Sequence, residues 1–128
     1  MSRWGAIVRD FGARADFATV YIAEAHAVDE WALPDARGAG AAIPAGIVQP
    51  RSLAARCELA RCFARRFPDV GRLLVDTMAD EANARYAAWP ERLYVVVDGV
   101  VVYKGGPGPF GYVLDDVRAW LERHAAAV

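Results

Sequence analysis

The run LYVVVDGVVVY, Leu93 to Tyr103, decides the fold. Two stretches of β-branched and aromatic residues flank Asp98-Gly99, the dipeptide that most readily reverses a chain in two residues. They predict a hairpin of strands over Leu93–Val97 and Val100–Tyr103. Downstream, GGPGPFG (105–111) is a turn-rich connector, and Asp115 and Asp116 open a helix whose inward face carries Val113, Val117, Trp120 and Leu121. His124 falls in the last turn of that helix, where a cation complements the dipole. Upstream, Trp89-Pro90 stops a short helix of about Asp80–Ala88, and Leu73-Leu74-Val75 reads as a short buried strand terminated by Asp76-Thr77. Ser52 offers an N-cap for a helix to about Arg66, ended by Pro68. Its inward stripe is Leu53, Cys57, Ala60, Ala64 and Phe67, with Arg56, Arg61, Arg65 and Arg66 mostly off it. FATVYI, Phe17 to Ile22, reads as a buried strand, and Trp4, Ile7, Val8 and Phe11 recur at helical spacing before a stop at Gly12. Between them, Pro34 to Pro50 collects Pro, Gly and Ala without a period and is expected to be a long loop.

The chain has 128 residues, of which 55% are hydrophobic and 24% charged, with a net charge of −1. That suits one domain, 1–128, and excludes a disordered chain or a binder that grips nucleic acid by charge. No uncharged apolar run reaches membrane-spanning length and no signal peptide is legible, so a cytoplasmic location is expected. The cysteines, Cys57 and Cys62, lie five residues apart in a helical pattern, roughly 8 Å between Cα atoms and beyond disulfide reach. They form neither a CxxC pair nor a metal knuckle.

The order α-β-(loop)-α-β-α-β-β-α is an α/β pattern. It resembles a thioredoxin-like fold, a central mixed sheet flanked by helices, lacking its N-terminal first strand. In such folds the redox nucleophile follows that first strand, at a helix N-terminus that stabilises a thiolate. The missing strand would leave an exposed edge beside Phe17–Ile22, a liability for association.

Chemistry concentrates in VYIAEAHAVDEW, Val20 to Trp31. Alternation along the strand end sets Glu24 and His26 on one side, where a carboxylate fixes an imidazole's tautomer and supports its protonated form. Tyr21 falls on the opposite face unless the strand twists. The residues alone favour a plainer surface Glu-His pair. In WPERLYVVV, Pro90 is placed to be a cis-proline before a strand, with Glu91 beside it to meet a polar group, or else a helix stop and a solvated strand edge. KGGPGP (104–109) and the RGAGAA stretch near Gly38 match no phosphate-binding loop. No metal-ligand cluster and no Ser-His-Asp arrangement is found.

Taken together, these segments resemble one family. VYIAEAHAVDEW is similar to the iodothyronine deiodinase pattern YIEEAHxxDGW. The stretch VDTMADEANARYAAWPERLYVVVDGVVVYKGGPGPFGY resembles VDTM…YxAxPERLYVI…G…YKGGxGPxxY, and VRAWLERH resembles the closing VRxxLE. The resemblance covers essentially the whole chain and is gapped mainly at the Pro34–Pro50 loop. It implies reductive removal of iodine from an iodothyronine or related aryl halide by a selenocysteine or cysteine nucleophile. A thiol reductant serves as electron donor, with no bound cofactor or metal, in a homodimer. It assigns His26, Glu24 and Tyr21 to catalysis and His26, Glu91 and Trp31 to substrate binding.

The chain departs from the family at three points. The nucleophile motif, which in the family lies a few residues before the position of Met1, is absent, and Pro50 and Pro107 stand where the family has substrate-binding residues. A selenocysteine codon read as stop would place a start at Met1, so a bacterial-style relative whose sequence starts late is expected. Its upstream DNA would then carry an in-frame TGA or Cys codon followed by Pro and Phe codons. The competing readings are a catalytically inactive thioredoxin-like binding module, which keeps a pocket around His26 and Glu91, and a peroxiredoxin-like thiol peroxidase.

Overall fold

Ser2 and Ser52 open the first two helices in the same way: each hydroxyl accepts the N–H three residues on, Gly5 at 2.9 Å and Ala55 at 3.1 Å. The computed structural model describes residues 2–32 and 46–124. Its elements are α1 (Arg3–Phe11), β1 (Ala18–Tyr21), α2 (Leu53–Arg66), β2 (Arg72–Val75), α3 (Glu81–Tyr86), β3 (Tyr94–Val97), β4 (Val100–Lys104) and α4 (Leu114–His124). This is the mixed α/β order read from the sequence. Most of the Pro34–Pro50 loop, with the stretch near Gly38, lies outside the described residues. Gly12 follows α1 in a right-handed conformation rather than as a left-handed stop.

β1 and β2 pair in parallel, Ala18 opposite Arg72 and Tyr21 opposite Val75. β3 and β4 pair antiparallel with a register shift between Val95 and Val96. The hairpin turn is the expected one: Asp98 (φ +49°) and Gly99 (φ +77°) both take the left-handed conformation that a two-residue type I′ turn demands. Among the described residues the strands thus form two pairs. β1's second edge, where the sequence reading puts the opening strand, carries no strand there.

The apolar core joins α1, the entry to β3, and α4: Ile7, Phe11, Leu93, Val117 and Leu121 are buried, with Trp4, Phe17, Val95, Tyr103 and Trp120 against them. Each such side chain contributes about 1.5–3 kcal/mol by leaving water. Ion pairs of 2.7 Å, Arg3 with Asp115 and Arg118 with Asp10, bridge α1 and α4 at the rim.

The inward stripe of α2 differs from the expected one. Leu53 is exposed, and the buried residues are Arg56 and Ala60. Phe63 lies edge-on to Tyr21 with ring centroids 5.8 Å apart, and Phe67 packs on Phe63. The helix face toward the sheet therefore runs Arg56, Ala60, Phe63, Phe67. A hydropathy pattern misplaces it by about a residue's rotation because a buried cation sits on it. No helix among the described residues is long and apolar enough to cross a membrane.

Candidate functional site

Strand β1 ends at Tyr21, one residue earlier than its apolar run, and the next turn is held by Gln49. The Gln49 side chain accepts from the Glu24 N–H (2.9 Å) and donates to the Glu24 carbonyl (3.0 Å) and to Glu30 Oε2 (2.9 Å). Its own N–H donates to Asp29 Oδ1 at 2.8 Å, and the Val28 N–H donates to the Ile47 carbonyl at 2.8 Å. Residues 46–50 thereby stitch the loop carrying Glu24 and His26. With the strand over, period-two alternation no longer governs, and two expectations change. Tyr21, expected on the opposite face, donates its hydroxyl to Glu24 Oε1. The imidazole of His26, expected to be set by Glu24, has its Nδ1 3.2 Å from the Trp31 carbonyl instead. A carbonyl only accepts, so Nδ1 carries the hydrogen and Nε2 is the nitrogen left to take or give a proton.

Below this loop lies a buried polar cluster. Burial, together with the bond to Glu24, pushes the Tyr21 phenol well above its ordinary range. Burial likewise raises the Glu24 carboxyl, against the opposing pull of the Tyr21 hydroxyl and the Arg56 charge, so Glu24 holds a proton more readily than an exposed glutamate. Arg56 is 2% exposed. Its Nη1 donates to the carbonyls of Asp76 (3.1 Å) and Thr77 (2.6 Å) and lies 3.3 Å from Asp80 Oδ1. Asp76, 4% exposed, accepts the N–H groups of Thr77, Ala82 and Asn83, each at 2.9 Å. Burial alone would raise that carboxyl; the three N–H bonds and the Arg56 charge outweigh it and hold it below the usual carboxylate range. The Asp76 N–H also donates to the Tyr21 carbonyl at 2.9 Å, so the strand end bearing Tyr21 and the turn into α3 are one unit. Asp76 thus does more than end β2.

Above the loop an aromatic run leads away from His26. Its ring meets Trp31 edge-on at 5.1 Å, and Trp31 lies 6.0 Å from Trp89 at a shallow 31°. Trp31 is 61% exposed and Trp89 41%, so both rings present area to solvent. The Trp89–Pro90 bond is cis, as the sequence reading allowed, and so is Gly108–Pro109. Glu91 follows. Its carbonyl accepts the Gly108 N–H at 2.9 Å, and its carboxylate occupies the space that any side chain at Gly108 would need. Burial and the Glu91 charge raise the Tyr112 phenol beside it. Arg92 donates to the carbonyls of Ala87 (2.9 Å) and Gly105 (2.7 Å), fixing the 105–111 turn to the start of β3.

The structure therefore joins Tyr21 to Glu24 and His26 to Trp31, and reaches the Pro90–Glu91 corner through Trp89. Arg56, Gln49 and Trp89 are residues of this region that the sequence reading did not single out. The spacing Arg56-Ala60-Phe63-Phe67 is a helical stripe and is the one signal that marks Arg56. Gln49 carries none. The cysteines both lie on α2: Cys57 is half-buried, and the exposed Cys62 accepts from Arg65 at 3.1 Å. Among the described residues no group of three His, Cys, Asp or Glu is arranged to hold a metal ion.

Comparison with known proteins gives a consistent result. The family model described as iodothyronine deiodinase matches residues 1–125. Thyroxine 5-deiodinase of Sus scrofa is 39% identical over 124 residues, which cover 97% of this chain and 38% of that protein. The Homo sapiens thyroxine 5-deiodinase shows the same figures, 39% identity over 97% of this chain and 38% of its own length. Type I iodothyronine deiodinase of Xenopus laevis is 37% identical over 96% of this chain and 45% of its own. The chain thus spans 38–45% of the length of these relatives.

Proposed function

This chain belongs to the iodothyronine deiodinase family, and on that premise we propose that it forms the substrate-binding and proton-delivering part of a reductive deiodinase. The observation that carries the reading is the His26 ring, held through Nδ1 by the Trp31 carbonyl with Nε2 as its working nitrogen, at the head of an exposed aromatic run. An iodinated aromatic ring finds in Trp31 and Trp89 faces to stack on. His26 is placed to supply the proton through Nε2. The Glu24–Tyr21 pair, with its raised carboxyl, forms a proton-holding reserve in the same loop, and Glu91 serves a polar substituent of the substrate.

The reaction so served is Ar–I + E–Se⁻ (or E–S⁻) + H⁺ → Ar–H + E–Se–I (or E–S–I). The nucleophile takes iodine as I⁺, and the electron pair of the carbon–iodine bond takes the proton. Two equivalents of thiol then return the enzyme, giving a disulfide and iodide. The selenol or thiol is not among the residues of the site, since Cys57 and Cys62 belong to α2. We place it in residues that precede Met1 in the intact protein. The reading further comprises a single domain over 1–128, action in the cytoplasm, a thiol electron donor without bound cofactor, and a homodimer.

Iodide release from a 3,5-diiodinated phenol with dithiothreitol tests the proposal. A version with a cysteine-bearing strand and turn added ahead of Met1 is expected to turn over and the 128-residue chain to be silent. Turnover by the short chain would mean that the nucleophile is misplaced. Silence of the extended chain, with the aryl iodide still bound, would favour a thioredoxin-like binding module instead.

A further inference from the structure

Glu91 stands at the corner between the exposed Trp89 ring and the 105–111 turn, and its carboxylate is unpaired. No hydrogen-bond or ion-pair partner holds that side chain among the described residues. Glu91 is half-buried. Gly108 makes the room for it, since a Cβ there would lie 2.2 Å from Glu91 Oε1. The Tyr112 phenol lies beside it. Arg92, the cation that follows it in the chain, is committed elsewhere, to the carbonyls of Ala87 and Gly105. A half-buried carboxylate without a counter-charge keeps its field for whatever enters the corner.

The turn beside it offers little to an anion. Pro107 and Pro109 have no N–H. The N–H groups of Gly105, Gly108 and Gly111 donate to the carbonyls of Leu93, Glu91 and Pro107 at 2.8, 2.9 and 2.9 Å. Those of Gly106 and Phe110 are left, with three residues between them, whereas an anion-binding nest needs successive N–H groups. An ammonium group meets the opposite environment. Glu91 supplies its counter-charge. The Trp89 face, at most about 7 Å away along the chain, attracts a cation through its ring electrons. We infer that the aryl iodide taken by this site carries an ammonium group and no carboxylate, the ammonium seated on Glu91. The substrate class is an iodinated arylalkylamine rather than an amino acid or an aryl carboxylic acid. The inference rests on the substrate-binding role proposed above and narrows it.

Saturable quenching of tryptophan fluorescence by a bound iodinated ligand tests this on the 128-residue chain itself, without turnover. Three ligands share a 4-hydroxy-3,5-diiodophenyl ring and differ in the remaining substituent: aminoethyl, carboxyethyl or methyl. The aminoethyl ligand is expected to bind about tenfold tighter than the methyl one, and the carboxyethyl ligand more weakly than either. Glu91→Gln is expected to remove the aminoethyl advantage, leave the methyl ligand unchanged and bring the carboxyethyl ligand up to it. Gly108→Ala keeps the charge but displaces the carboxylate, and is expected to cut the aminoethyl advantage several-fold. Gly108 has no positive φ, so its backbone accepts alanine. Even where Glu91→Gln fails to fold, the order of the three ligands on the unaltered chain decides. Equal binding of all three, a preference for the carboxyethyl ligand, or an aminoethyl advantage that survives Glu91→Gln would overturn the inference and leave aryl iodide binding standing. Binding of none of the three would overturn the aryl iodide site, and the inference with it.

Discussion

β1 and β2 run parallel against a helix whose buried face carries a guanidinium. β3 and β4 form a hairpin whose inner residues join Ile7, Phe11, Val117 and Leu121 in a purely apolar cluster. The hairpin half is held by removal of area from water, a force without direction that tolerates any side chain of about the right size. The parallel half is held by bonds with direction: Arg56 to two carbonyls, Asp76 to three N–H groups, Tyr21 to Glu24. The difference matters for function because the proton-holding groups hang from the second kind of scaffold. Low local dielectric strengthens a fully paired network and shifts the titration of its members, which an apolar core does not do.

The comparison breaks most visibly through the core. Phe11→Ala is expected to cost about 4 kcal/mol, measured by urea denaturation, with a similar loss at pH 4 and pH 7 because the phenols packed against that cluster, Tyr103 and Tyr112, are pushed above their ordinary value of 10 and stay neutral across that range. Next comes Arg56→Met, expected to cost about 3 kcal/mol by leaving the Asp76 and Thr77 carbonyls and the Asp76 carboxylate without their cation. Arg56→Lys should recover part of the loss, since both carbonyls are met by one nitrogen, Nη1, and an ammonium also carries several donors on one nitrogen. If the Arg56 variants were as stable as the parent, the parallel half would rest on packing after all.

Smaller effects sharpen the contrast through pH. The Asp76 carboxyl titrates below its ordinary value of 3.8 in the folded chain, so its contribution is full above that value and is lost as pH falls through the lowered one. Asp76→Asn should flatten the acid limb of a stability–pH profile. The Glu24 carboxyl titrates above its ordinary 4.5, so its contribution is full below that value and is lost as pH rises through the raised one. Glu24→Gln should remove that decline. A profile that keeps both limbs in these variants would contradict the buried network. Smallest is Tyr21→Phe, expected to cost about 1 kcal/mol while moving the Glu24 titration further up, since the Tyr21 hydroxyl opposes the larger effect of burial.

The two halves were also unequally legible in the sequence. Asp98-Gly99 specifies the hairpin by itself, because few other pairs of residues accept two successive left-handed conformations. Ser52, Pro68 and the acidic first turn of α4 mark helix ends by equally local chemistry. The parallel half resists such reading. Arg56 faces inward only because β2 ends in carbonyls that need a donor, and that need belongs to a segment twenty residues away. Gln49 clamps Glu24 across twenty-five residues with no pattern to announce it. Alternation misjudged Tyr21 and His26 because it assumes a strand continues, and here Gln49 pulls the chain into a turn just past Tyr21. The residues of VYIAEAHAVDEW were identifiable from family motifs, but the pairing among them was not.

The account's central claim is that His26 delivers the proton to the aryl carbon. Iodide release from a 3,5-diiodinated phenol by the cysteine-extended chain, compared with its His26→Asn variant, tests it most directly. The account predicts a loss of about 10²–10⁴-fold, the usual share of a positioned general acid. A His26→Asn variant that kept the parent's rate would contradict it.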